Sequence, residues 1–137
     1  MNRLGIEDNV VQLGTIPYYS LHHLYRACDI YVTAAYAESF AHPLVEAMAC
    51  GLPVVASDLP VHQEICGGAA RYFQRFSPQF LADEVTQLCE SGEKRRTMAE
   101  QGRQRSKDFS WSRHVRQLLE LATSLKERRG GMLPGAR

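Results

Sequence analysis

"AESFAHPLVEAMACGLPVVASD" runs from residue 37 to residue 58. Between Glu38 and Asp58 a single charged side chain, Glu46, stands among Pro43, Leu44, Val45, Ala47, Met48, Ala49 and Cys50. The stretch reads as loop, helix, turn and strand. Pro43 suits the first helical position, where its missing N–H is not needed. It also pushes His42 out of helical geometry and into the role of cap. Gly51 takes the left-handed position past the helix end, with Leu52 and Pro53 behind it. The helix between them spans about eight residues, or ~12 Å. "PVVAS" at 53–57 is short and apolar, the pattern of a parallel strand covered on both faces.

The same alternation extends in both directions. "NVVQLG" at 9–14 reads as a buried strand. Tyr18, Leu21, Leu24, Tyr25 and Cys28 recur at helical spacing behind Ser20. "DIYVTA" at 29–34 reads as a strand, and residues 35–42 as the loop after it. Past residue 58 the pattern predicts a helical turn over 61–66 and a weak strand, "ARYF", at 70–73. Three helices follow: one capped by Ser77 with Pro78 at its first position, a charged one from Glu93, and one capped by Ser110 with Trp111, Val115, Leu118, Leu119, Ala122 and Leu125 on one face. Strand–helix alternation with a helical finish is the pattern of an α/β, Rossmann-like parallel sheet with flanking helices. Residues 1–126 form the domain in this reading, and 127–137 a flexible basic tail.

Composition removes several alternatives. The 137 residues suit one domain, and 45% hydrophobic content is enough for a packed core. A net charge of +1 gives no global electrostatic attraction for nucleic acid. Cys28, Cys50, Cys66 and Cys89 form no C-x-x-C pair and read as buried free thiols in a reducing compartment. "MNRLGIEDNVVQLG" has no apolar signal core, and no apolar run reaches the ~20 residues of a membrane span. These features point to a cytoplasmic location. The helix over 111–125 and the basic tail leave a peripheral membrane contact as a second option.

Ligands of open parallel sheets bind at the carboxyl ends of the strands, where the loop at 34–42 must lie. The amino end of the following helix presents N–H groups and a partial positive charge, an anion site suited to phosphate or diphosphate. Glu46 lies one turn inside that helix. Like charges exclude it from the phosphates, but a carboxylate there can accept two hydrogen bonds from a vicinal diol such as a ribose. A solvated surface glutamate is the simpler reading, but the apolar neighbours of Glu46 weaken it. For Glu38, in the loop, both readings stay open on spacing alone.

The segment "ESFAHPLVEAMACGLPVVASD" resembles the donor site of retaining GT-B glycosyltransferases of family 4 (glycosyl transferases group 1). That family carries a Glu, seven residues, a second Glu, then Ala-Met-Ala-Cys-Gly-x-Pro-Val-Val-Ala; Glu38 and Glu46 hold the two acidic positions here. The likeness covers roughly residues 4 to 125, including "LYRACDIYVTAAYAESF", "SDLPVHQEICGGAARYF" and "DFSW". The resemblance implies a partial GT-B carboxy-terminal domain that takes a sugar from a nucleotide-sugar and transfers it with retention. It implies that Glu38 is the catalytic carboxylate beside the donor sugar. Ser39, Phe40, Ala41, His42, Pro43, Leu44 and Glu46 would be donor-binding, Glu46 at the ribose hydroxyls and the backbone N–H groups of Phe40 to Leu44 at sugar hydroxyls and diphosphate. No cofactor or metal is expected. The common Gly-Leu after Phe is Ala41-His42 here. Ala41 narrows the backbone's options, and His42 either tunes donor choice or simply caps the helix. The resemblance also implies that two earlier strands, a basic Arg/Lys pair and an acceptor domain are missing. The 137 residues alone are therefore expected to be inactive and to need an amino-terminal domain or partner chain.

Three rival readings are weaker. Among His22, His23, His42, His62 and His114, only His42 pairs with Glu46 at i, i+4, which does not complete a metal site. Cys50 sits at the wrong helix end to be an activated thiolate. Lys94, Arg95, Arg96, Arg103, Arg105 and Lys107 read as a solvated helix face. A non-catalytic sugar-nucleotide or partner-binding module is the alternative function. The acceptor and the identity of the sugar stay open.

Overall fold

The computed structural model describes residues 4–130, with side chains through residue 128. The chain is α/β. Its elements are α1 (Leu21–Ala27), β1 (Tyr31–Thr33), α2 (His42–Cys50), β2 (Val54–Ser57), α3 (Pro60–Cys66), β3 (Ala70–Phe73), α4 (Pro78–Glu90), α5 (Gly92–Ser106) and α6 (Trp111–Gly130), with short 3-10 turns between some of them. The strands form one parallel sheet in the order β1-β2-β3. Tyr31 stands opposite Val54, and Ser57 opposite Phe73. All four residues of β2 are buried, as its apolar run requires.

Alternate strand residues feed two cores. Val54, Ala56 and Ala70 face Leu44, Ala47 and Met48 of α2 and Ile65 and Cys66 of α3. Val55 and Phe73 face Leu88 of α4 and Met98 of α5 on the other side. α5 lies close against α2 because Gly102 has no side chain: a Cβ there would stand 3.3 Å from Met48 Cγ.

Several local expectations are met. Ser77 precedes α4 with Pro78 in its first turn. Gly51 ends α2 at φ 78°. Its N–H donates to Met48 O and that of Leu52 to Ala47 O, both at 2.9 Å, which satisfies two terminal carbonyls. Ser110 Oγ accepts from the Arg113 N–H at the start of α6.

Other expectations are corrected. Residues 9–14 are not a strand: a 3-10 turn covers Glu7–Asn9, and the sheet consists of β1, β2 and β3. Val11 is 80% exposed, so apolar content alone did not make a strand where no neighbouring strand offers a ladder. α6 extends through Gly130, into the segment read as a tail, and residues 131–137 lie outside those described. The four cysteines are free, but Cys28 and Cys89 are exposed, Cys50 is half-buried and only Cys66 is buried. The basic face of α5 is not merely solvated. The Arg95 guanidinium donates to the carbonyls of Leu88 and Cys89. That of Arg105 donates to Glu64 O and Ile65 O at 2.6 and 2.8 Å. Each arginine caps the carboxyl end of another helix.

Candidate functional site

Because the strands are parallel, Thr33, Ser57 and Phe73 end at one edge of the sheet. The 34–41 loop leaves β1 there and runs into α2. Its last residue, Ala41, caps the helix at φ 63°, in the left-handed region. His42 is therefore the first residue of α2, and the cap lies one position earlier than Pro43 suggested. Such a conformation strains a non-glycine residue by on the order of 1–3 kcal/mol. Burial of Ala41, 5% exposed, helps hold it. The ring of His42 lies 4.6 Å from that of Phe40, which in turn meets Phe109 edge-on at 5.9 Å.

The loop curls around the carboxylate of Glu38. The Ser39 N–H donates to Glu38 Oε1 at 2.8 Å. This bond, aided by the N–H groups of Phe40 and Ala41, holds the carboxyl below the usual glutamate range despite some desolvation. The backbone of the loop thus turns one hydrogen-bonding N–H, with two more near it, towards a negative charge. Of the Phe40 to Leu44 amides expected to face the donor, Pro43 has no N–H to offer, and the Leu44 N–H donates to Ala41 O at 3.0 Å.

Glu46 faces α1. Tyr25 Oη donates to Glu46 Oε2 at 3.0 Å. The solitary carboxylate of the 37–58 stretch is therefore half-buried with a specific partner, not solvated on an open face. Desolvation and the bond to Glu46 together push the Tyr25 hydroxyl pKa well up. Tyr31, whose ring meets that of Tyr25 at 6.0 Å, is raised by desolvation and then by the charges of both Glu46 and Glu38. Both carboxylates thus act on one tyrosine at the start of β1.

Several residues here were missed in the sequence. Tyr25 and Tyr31 were read only as core positions. Ser57 Oγ donates to Ala35 O, and His62 Nδ1 lies 2.9 Å from Ser57 O. A depression of about 400 Å³ at the strand ends is lined by Ala34, Tyr36, Ser57, Phe73, Arg75 and Phe76, among others. On its rim Asp58 accepts from the Arg75 N–H and guanidinium at 3.1 and 2.8 Å. Among the described residues no three His, Cys, Asp or Glu side chains stand together as a metal cluster. None of the described helices is long and apolar enough to cross a membrane.

A family model described as glycosyl transferases group 1 matches residues 1–105. The chain belongs to this family. Over 136 residues it is 33% identical to the D-inositol 3-phosphate glycosyltransferase of Segniliparus rotundus, covering 96% of this chain and 29% of that one. Among solved structures, sucrose-phosphate synthase from Thermosynechococcus elongatus superposes with a TM-score of 0.85 at 26% identity, covering 93% of this chain and 33% of that one. HepE of Anabaena, solved in complex with UDP, superposes at 0.83 with 29% identity over 90% of this chain and 34% of its own. It has also been solved with UDP-glucose. The chain thus spans about a third of each of these relatives, and its fold is that of a group 1 glycosyltransferase carboxy-terminal domain.

Proposed function

We propose that these residues form the donor side of a retaining, family 4 glycosyltransferase that draws its sugar from a nucleoside diphosphate, UDP being the probe favoured by the HepE complexes. The observation that carries this reading is the pairing of two carboxylates across one loop and helix. Glu38 sits at the strand ends, Glu46 one turn inside α2, and Tyr31 feels both charges. Glu46 takes the ribose diol, with Tyr25 holding its other side. Glu38 lies beside the sugar and stabilises positive charge near the anomeric carbon as the bond to the diphosphate breaks. The amino end of α2 and the loop amides favour the departing anion. Ser39, Phe40, Ala41, His42, Pro43 and Leu44 shape that pocket. The scheme uses no metal: backbone dipoles, together with the Arg/Lys pair that the family resemblance implies, carry the diphosphate charge. In this reading, as the family resemblance implies, the acceptor is bound mainly by a separate amino-terminal domain, and the 137 residues alone are expected to give no turnover. A cytoplasmic enzyme meeting its acceptor at a membrane surface is compatible with α6.

Titration calorimetry with UDP, UDP-glucose and inorganic diphosphate tests the assignment. UDP is expected to bind more tightly than diphosphate, and Glu46→Ala to erase the difference. A hydrogen bond to a charged group is worth about 1.5–3 kcal/mol, roughly ten- to a hundredfold in affinity. Unchanged UDP affinity in the variant would refute the ribose role.

A further inference from the structure

His62 is a buried titratable side chain that the proposed chemistry does not use. It lies in α3 and is 1% exposed. Its Nδ1 stands 2.9 Å from Ser57 O and 3.3 Å from Ser57 Oγ. A carbonyl oxygen can only accept, so Nδ1 carries a hydrogen and donates it. Ser57 Oγ then directs its own hydrogen to Ala35 O. Ser57 thus ties α3 to the 34–41 loop: its carbonyl, with Oγ as a longer second acceptor, takes the His62 hydrogen, and its hydroxyl relays on to Ala35, three residues before Glu38.

The other ring nitrogen shows that the imidazole is not there for packing. Nε2 is buried and has no hydrogen-bond partner among the described residues. An aliphatic side chain would fill the same space without stranding a polar atom. The far end of the relay is well anchored, since Tyr72 Oη, on β3, donates to Gly67 O at 2.7 Å just past α3.

We propose that His62, acting through Ser57, is the positioning residue that sets the Glu38 loop for the donor sugar. The inference rests on reading 34–41 as the donor loop. It predicts a division of labour: the relay governs the sugar end of the donor, while the Glu46–Tyr25 end is independent of it.

The test uses the full chain and four variants. His62→Asn places an amide N–H where Nδ1 stands, His62→Gln places one nearer Nε2, and His62→Leu has none. Ser57→Ala removes only a hydroxyl, so it keeps the relay testable even where His62→Leu fails to fold. One readout needs no ligand: backbone order parameters of residues 34–41, expected to fall from about 0.85 towards 0.6 in His62→Leu, His62→Gln and Ser57→Ala and to recover in His62→Asn. The other is the affinity of UDP-glucose relative to UDP. The first three variants should lose that increment, by about tenfold, and keep UDP affinity; His62→Asn should regain it. Unchanged loop order in His62→Leu and Ser57→Ala, or equal loss of UDP and UDP-glucose binding, would overturn the positioning role. A parent chain that binds neither nucleotide would instead sink the donor-site reading, while the loop order would still report on the relay.

Discussion

Cys66 is the one buried thiol of four, and its surroundings set its reactivity. Burial pushes it up to about 11, although the Arg105 guanidinium pulls the other way. The thiolate is the reactive species, so Cys66 should be inert at pH 8. A chromogenic disulfide reagent is expected to label Cys28 and Cys89 in the folded chain and to reach Cys66 only on denaturation; rapid labelling of Cys66 would contradict the packing described. The same shift has a sign in stability. The unfolded thiol ionises near 9 and the folded one near 11, so its contribution is complete below pH 9 and declines as pH rises towards 11. The sequence reads all four as buried free thiols, which is wrong for Cys28 and Cys89, because exposure depends on what packs over each helix. The same limit hid the site's second halves. Glu46 was legible from its apolar neighbours, but Tyr25 lies 21 residues away and meets it only through the α1–α2 packing. His62 was weighed as a metal ligand, since spacing in the chain gives no sign that its ring turns back onto Ser57.

At the scale of elements, local rules worked wherever a single residue type decides the backbone. Gly51 is the clearest case. At φ 78° a β-branched residue is strained whatever the space around it. A Cβ there would also come within 2.2 Å of the Arg103 guanidinium, but that is the far end of a flexible side chain and can move. Gly51→Val is expected to destabilise the chain by more than about 1 kcal/mol. For a domain of this size that lowers the melting temperature by roughly 3–5 °C or more. An unshifted melt would mean that α2 can end another way. Ala41 shows where local rules fail. Nothing in its type announces a left-handed cap; the conformation goes with the burial of Ala41 where the loop turns into α2. The short α2 is thus bounded at both ends by mirror-handed residues, one foreseeable and one not.

On the scale of the whole molecule, the parallel sheet was legible because β2 reads as an apolar run that only two covered faces allow. The 9–14 segment misled for the converse reason: a strand exists only in company. Its residues and one side of α6 leave much apolar surface in water, with Val11 80% exposed, Trp111 76% and Leu119 63%. Contiguous patches of this kind favour association. The chain alone is expected to self-associate with rising concentration, to a lesser degree when Leu118 and Leu119 are replaced by Glu, and to show no sugar transfer. Sedimentation velocity and a UDP-glucose turnover assay check both points; a monodisperse, active chain would refute them. The arginine clasp between α5 and α3 carries a consequence for how the protein is made. Arg105 closes the carbonyls of Glu64 and Ile65 from 40 residues downstream. A nascent chain that has emerged only as far as α4 holds all three strands yet leaves the carboxyl end of α3 without these two donors until α5 follows.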